Sequence, residues 1–359
     1  MFLKKIQKNM RSSFTVFALA AAFILLGANS FVTNAQTTRG TLNDFTGTGK
    51  TSFVTISGYS STPTNTPVTW KILGNPANPA PNQAFIRRFN YGLGGDLPVP
   101  RDYVGDSKSE IAVWRAGTYY LAQTPTGTGG VTLDRAVQWG ASDDIAGCEG
   151  DYDGDGKIDY TVARFNSATG ALTYYYMSSS TNTMRAVPFG LPATAAQFAP
   201  VAGANFAGDN KDELVLLTIA SNGIETYYVG DAVNGTGILT RTFGNFNTDF
   251  AITPADYTGD GKADFVAVRE NANGTPATWY INNSVTNVNT ATAFGISDPN
   301  FNSNDTPVRG DYDGDGRQDI AVWRDSNQTF YWISSANGSI QAQKSGDSGD
   351  IPLGGFGEF

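Results

Sequence analysis

The sequence predicts an all-β fold, a β-propeller of four-stranded blades. Three observations lead there. A loop pattern recurs six times at a spacing near fifty residues, each copy is followed by two short strand-like runs, and helical periodicity is missing beyond residue 35. The copies begin at residues 44, 102, 151, 205, 256 and 311, so the spacings are 58, 49, 54, 51 and 55. A fixed period of this size marks a solenoid, a propeller or an array.

The chain opens with Lys4, Lys5, Lys8 and Arg11, followed by an apolar run from Phe14 to Gly27 and the small-residue stretch Thr33-Asn34-Ala35. That is the order of a secretory signal peptide. Its apolar run is shorter than the roughly 20 residues that span a bilayer, and no second long apolar stretch follows. Cleavage after Ala35 is therefore expected, leaving residues 36–359 as one domain outside the cytoplasm, secreted or in the cell envelope, with no membrane span. Six units share its 324 residues at 54 each.

Loss of the leader removes four cations and takes the formal net charge from −9 to −13. Nucleic acid is an unsuitable partner for such a chain, because phosphate backbones are bound by clustered Lys and Arg. The single Cys148 rules out an internal disulfide and reads as a small buried residue. Histidine is absent, which excludes Ser-His-Asp and Cys-His nucleophile pairs and a His-bound metal.

The fullest copies of the loop are Asp151-Tyr152-Asp153-Gly154-Asp155-Gly156-Lys157-Ile158-Asp159 and Asp311-Tyr312-Asp313-Gly314-Asp315-Gly316-Arg317-Gln318-Asp319. Carboxylates at positions one, three, five and nine, bent by two glycines, bring oxygens toward one point. That donor set suits calcium, which takes six to eight oxygens, better than magnesium, which keeps its waters. A helix-flanked calcium loop would carry Glu at position twelve, where this chain has Val162 and Val322 inside apolar runs. The loop is thus expected between strands. Position seven, Lys157 or Arg317, would offer its backbone carbonyl to the metal and point its side chain to solvent.

The copy at 256 keeps Asp256, Asp260 and Asp264, with Thr258 at position three and Lys262 at seven, and should bind calcium more weakly. Asp102, Asp106 and Glu110 also make three, but Val104 gives no oxygen at position three. Asn205, Asp209 and Glu213 are weaker still with Ala207 there, and the copy with Asp44, Thr46, Thr48 and Ser52 is expected to have lost the metal. Two firm calcium sites and one or two weak ones are expected. Position four is Gly in all six copies, which points to a positive φ; position two is always aromatic and position seven always basic.

Each loop leads into a short apolar run, such as Ile111-Ala112-Val113-Trp114 or Phe265-Val266-Ala267-Val268, which reads as a strand buried on both faces. An aromatic strand follows, as in Tyr119-Tyr120-Leu121 and Trp279-Tyr280-Ile281. The unit then reaches an aromatic-Gly pair: Tyr91-Gly92, Trp139-Gly140, Phe189-Gly190, Phe243-Gly244 or Phe294-Gly295, with Ser345-Gly346 as the sixth. With the strand entering the loop, that makes four per unit, the content of a propeller blade with short protected edges. A linear array of the same sheets is the competing architecture. Asp350-Ile351-Pro352-Leu353 resembles Asp96-Leu97-Pro98-Val99, so the C-terminal strand is expected to latch the ring beside the N-terminal one. Gly40-Thr41-Leu42-Asn43 competes for the same slot, and the count is six blades with seven as the alternative.

At these residues the chain resembles the FG-GAP and VCBS repeat families, known from the integrin α-subunit propeller and from exported bacterial proteins. The resemblance covers nearly all of residues 40–355 and is most specific in Phe294-Gly295 with Asp311 to Asp319. It implies a β-propeller with calcium in the hairpin between the first two strands of a blade. Where the family name implies Gly-Ala-Pro after the loop strand, this chain has Val113-Trp114-Arg115 and Val322-Trp323-Arg324, so integrin-type ligand recognition is not carried over.

The resulting expectation is a non-catalytic binding or adhesion module for an extracellular glycan or protein. A structural surface-assembly protein and, behind it, a carboxylate-dependent polysaccharide-degrading enzyme are the alternatives. Trp70, Trp139 and Trp279 are candidate glycan platforms, although their recurrence at one strand position favours packing between blades. Asp143-Asp144 is the one acidic pair outside the loops, and as neighbours they read as an exposed turn. No catalytic residue is assigned.

Overall fold

The computed structural model describes residues 41–75, 86–123, 131–190, 197–297 and 305–354. The candidate leader lies outside these residues. Among them there is no helix, so none is long and apolar enough to cross a membrane.

The strands form six sheets. Blade 1 holds β1 (Phe53–Ser57), β2 (Pro67–Leu73) and β3 (Ile86–Leu93), and blade 2 holds β4 (Leu97–Pro98), β5 (Ile111–Arg115), β6 (Thr118–Ala122) and β7 (Arg135–Gln138). Blade 3 holds β8 (Tyr160–Asn166), β9 (Ala171–Ser178) and β10 (Thr183–Pro188). Blade 4 follows with β11 (Gln197–Ala204), β12 (Glu213–Ile219), β13 (Ile224–Gly230) and β14 (Gly237–Asn245). Blade 5 has β15 (Asp249–Ala255), β16 (Asp264–Arg269), β17 (Pro276–Asn282) and β18 (Asn289–Ile296). Blade 6 has β19 (Asp305–Val308), β20 (Ile320–Arg324), β21 (Thr329–Ile333) and β22 (Ile340–Lys344), and β23 (Ile351–Pro352) joins blade 1. Neighbours within each sheet are antiparallel and consecutive, the order of a meander. In blade 3 the inner strand is reduced to the bridges Ile145↔Ala163 and Gly150↔Asp159, because Gly147 at φ +88° turns the chain between them.

The ring closes as a shared strand. β23 lies beside β1, pairing Ile351 with Ile56 and Pro352 with Thr55, and the Leu353 amide donates to the Val54 carbonyl as the Val99 amide does to Ala112 in blade 2. Asn43 then accepts from the Ser52 amide where Arg101 accepts from Glu110. The two segments expected to compete are therefore successive parts of one inner strand: residues 350–353 supply its beginning and 42–43 its end. This settles the count at six.

Burial follows the repeat. The strands leaving the loops are buried on both faces, because they lie in the middle of a sheet stacked between two others. The aromatic at loop position two is buried in every copy and packs on position ten of the next blade. Tyr103 stacks on Tyr160 with centroids 5.0 Å apart, Phe206 lies 5.1 Å from Phe265, and Tyr312 of blade 6 stacks on Phe53 of blade 1 at 5.2 Å. Offset aromatic pairs of this kind add about 0.5–1.5 kcal/mol beyond the area they bury. Cys148 is buried in the blade 3 core, as expected, and burial pushes its thiol well above the usual range.

Candidate metal centre

The six loops join the first and second strands of their blades and form a hydrogen-bonded circle. In each, the amide of position eight donates to the position-one carbonyl of the preceding blade: Ser109 to Asp44, Ile158 to Asp102, Asp212 to Asp151, Ala263 to Asn205, Gln318 to Asp256, and Thr51 to Asp311, at 2.7–3.0 Å. Position four has φ between +72° and +84° in all six loops, a conformation that glycine adopts without a Cβ penalty.

The position-seven side chains depart from expectation. They do not simply point to solvent. A Cβ on Gly105 would meet the Lys157 stem at 2.8 Å, one on Gly208 would meet Lys262 at 3.0 Å, and one on Gly259 would meet Arg317 at 2.5 Å. Lys108, Lys211 and Lys50 lie likewise over Gly47, Gly154 and Gly314, so each blade lays a basic stem across its predecessor and blade 1 across blade 6. Glycine at position four is thus required twice, by its φ and by its neighbour.

Within a loop, position one acts as an internal cap. Asp151 accepts from the amides of Gly154, Asp155 and Gly156, and Asp311 from those of Gly314, Asp315 and Gly316. Three groups of carboxylates bring oxygens within 4.8 Å of one another among the described residues: Asp151/Asp153/Asp155, Asp311/Asp313/Asp315 and Asp102/Asp106/Glu110. Asp256, Asp260 and Asp264 are not among them. With Thr258 at position three, Asn283 of the following hairpin donates to Thr258 and to Asp260 instead. Asp159 and Asp319 stand outside the converging groups, accepting from the amides of Tyr152 and Ser179 and of Tyr312 and Ser335.

Residues 256–322 match the FG-GAP-like repeat. That span covers the fifth loop, β16 to β19 and the sixth loop to the middle of β20. Comparison with curated proteins gives no match. Among solved structures the chain is similar to a lectin from Agrocybe aegerita that recognises non-reducing terminal N-acetylglucosamine, at 14% identity and a TM-score of 0.46, covering 81% of this chain and 89% of that one. It is also similar to the propeller of Dos1, at 12% identity and a TM-score of 0.41 over 82% and 76% of the two chains. A third is the WD40 domain of coronin from Toxoplasma gondii, at 12% identity and a TM-score of 0.39 over 93% and 79%.

The loops of blades 3 and 6 share a support that sequence reasoning missed. The hairpin between the third and fourth strands reaches back to the acids: Ser178 and Ser180 donate to Asp153 and Ser179 to Asp155, while Ser334 donates to Asp313 and Ser335 to Asp315, at 2.6–2.9 Å. A Ser-Ser pair about 25 residues after the first acid was the available signal, and it becomes meaningful only once the hairpin is known to fold onto the loop.

Charge crowding shows in the acidities. Burial, followed by Asp153 and Asp151 nearby, pushes Asp159 up to about 8, and burial pushes Asp311 and Asp319 up to about 7. Burial works against Asp153 too, but the Ser178 and Ser180 hydrogen bonds hold it below the ordinary carboxylate range. The converging oxygens of Asp151/Asp153/Asp155 and of Asp311/Asp313/Asp315 are hard donors of the kind a divalent cation takes. These two groups, Asp151/Asp153/Asp155 in blade 3 and Asp311/Asp313/Asp315 in blade 6, could therefore hold a divalent cation.

The other candidates resolve differently. Trp70 and Trp279 are fully buried and are core, whereas Trp139 is half-buried and donates its indole N–H to the Tyr175 carbonyl. Asp143 is exposed, but Asp144 is not part of an exposed turn. It is buried and takes a two-pronged ion pair from Arg164 at 2.7 and 2.8 Å. Neighbouring residues point to opposite sides, and the sister blades place Asp96, Asp249 and Asp305 in the same role toward Arg115, Arg269 and Arg324.

Proposed function

We propose that this chain is a non-catalytic, calcium-binding β-propeller that acts outside the cytoplasm as a binding module for a glycan or protein ligand. The observation that carries the reading is the convergence of Asp151/Asp153/Asp155 and of Asp311/Asp313/Asp315 in loops that also tie neighbouring blades together. Calcium would supply the positive charge these oxygens lack. The chain's own residues do the rest: Asp151 and Asp311 hold the turn, the serine hairpins orient Asp153 and Asp313, and the glycines let the neighbouring blade approach. A metal held this way stiffens the face on which blade loops are displayed, a scaffold role rather than a chemical one.

Titration of calcium into chelator-treated protein tests this, with melting followed in parallel. Two strong sites are expected, and saturation at about a hundred times Kd should stabilise the fold by about 2.7 kcal/mol per site. Asp153→Asn and Asp313→Asn should each remove one site. An absence of binding heat, together with a Tm indifferent to chelator, would overturn the proposal.

A further inference from the structure

Blades 2, 3, 5 and 6 repeat a triad. An Asp at the start of the inner strand takes an ion pair from the Arg at loop position fourteen, and the guanidinium lies over a Tyr of the third strand, 4.6–5.1 Å from the ring centroid. The Tyr stands opposite loop position twelve, as in Val113↔Tyr120 and Val322↔Tyr331. In blade 1 the Asp is present as Asp350, but position fourteen is Ser57 and the residue opposite Thr55, at position twelve, is Lys71. The Arg and the Tyr are missing, and a shallow, solvent-open depression of about 580 Å³ lies there, lined by Ser57, Lys71 and Asp350 among others.

We propose that this cleft, at the seam where the ring closes, binds an uncharged stretch of glycan; the proposal rests on the binding-module reading above and gives that module its site. The volume lies within the roughly 300–1,000 Å³ of small-molecule sites. The remaining wall is mainly polar, with Thr69, Arg88, Asn90 and Asp347, and Phe89 also lines it. Charges inside it are balanced, with Lys71 paired to Asp350 at 2.5 Å and to Asp347 at 2.9 Å, and Arg88 paired to Asp347 at 2.7 Å. An anionic ligand would meet Asp347 and Asp350, and a cationic one Lys71 and Arg88. An apolar ligand would strip water from all four without replacing its hydrogen bonds. Sugar hydroxyls both donate and accept, so they can match a wall that alternates ammonium, guanidinium and amide donors with carboxylate and hydroxyl acceptors.

The test fills the cleft with the chain's own solution. The double variant Ser57→Arg with Lys71→Tyr rebuilds the sister-blade triad on Asp350, so it should fold with an unchanged or higher Tm. Binding is measured by calorimetry in calcium against maltotetraose, cellotetraose, laminaritetraose, chitotetraose and tetragalacturonate. At least one neutral tetrasaccharide should bind the wild type in preference to tetragalacturonate, and the double variant should lose that binding at least tenfold. Asn90→Ala, an exposed substitution that leaves the core untouched, should weaken it several-fold and serves if the double variant misfolds. Equal binding by wild type and variants would overturn the seam site while leaving a glycan-binding module elsewhere on the propeller. Preference for tetragalacturonate would overturn the neutral-ligand assignment, and silence toward every saccharide would overturn both the seam site and its glycan ligand, leaving the calcium reading to its own test.

Discussion

Substitution of Asp350 tests how the ring is held shut. Its carboxylate is 2% exposed and receives the ammonium of Lys71, itself 5% exposed, the hydroxyl of Thr55 at 2.8 Å and the amide of Asp347 at 2.7 Å. In Asp350→Ala the Lys71 charge stays buried with only the exposed Asp347 as partner. Removing one member of a buried pair costs about 3–5 kcal/mol, and at about 2 °C per kcal/mol for a chain of this size Tm should fall by roughly 6–10 °C. Asp347→Asn, which breaks the exposed Arg88 pair and removes the second partner of Lys71 while leaving Asp350 in place, should cost less than Asp350→Ala, on the order of 1 kcal/mol. Adding Lys71→Leu to Asp350→Ala removes the stranded charge and should recover most of the loss, since apolar replacement of a buried pair is often neutral. Melting curves in saturating calcium would measure all four proteins. If Asp350→Ala stays within 1 kcal/mol of wild type, or if the double variant is worse than the single, the seam is not held by this pair.

Two further substitutions probe features peculiar to this chain. Glu225 is fully buried with neither carboxylate oxygen partnered, at a position occupied by Leu172 in blade 3 and Ala277 in blade 5, and burial, reinforced by Asp249, holds its pKa well above the ordinary range. Because the folded pKa exceeds the unfolded value of about 4.3, its contribution is intact below that pH and declines as pH rises toward the folded value. Glu225→Leu should therefore be more stable than wild type by a margin that grows from pH 5 to pH 9 in thermal melts; parallel curves would refute this. Gly314→Ala and Gly316→Ala place a Cβ at φ +82° and +90°, but only the first meets the neighbouring blade, at 2.9 Å from the Lys50 stem. Both should cost about 1–2 kcal/mol in urea unfolding, with Gly314→Ala the more damaging, and the reverse order would argue against the clasp between blades.

Most of the architecture was legible because the repeat compares the chain with itself. Glycine at position four could be read as a backbone requirement since it persisted at Gly47 and Gly208, in loops that have lost two or more of the four acids. The aromatics at position two showed their packing role in the same way. What stayed hidden depends on contacts between units. Nothing local to Lys157 says that its stem crosses Gly105, and nothing local to Asp144 says that Arg164, twenty residues on, returns to it. The inner strand of blade 1 was ambiguous because its two pieces sit at opposite ends of the sequence and each resembles only half of a pattern. The acids of the 256 loop were read by count, yet convergence depends on position three, where Thr258 leaves Asn283 to take up the space.

The shared inner strand also fixes an order of events in folding. Thr55 and Asp350 are 295 residues apart and meet across the seam, so the first blade in sequence must be the last to be completed. Blades 2 to 6 can form from neighbours as they appear, each docking its aromatic on the next. Until the end of the chain arrives, β1 has a bare edge and Phe53 waits for Tyr312, a contact that closes one of the longest loops the chain can make and is slow for that reason. The two residue pairs between β1 and β23 would then act as the timing step of the whole molecule.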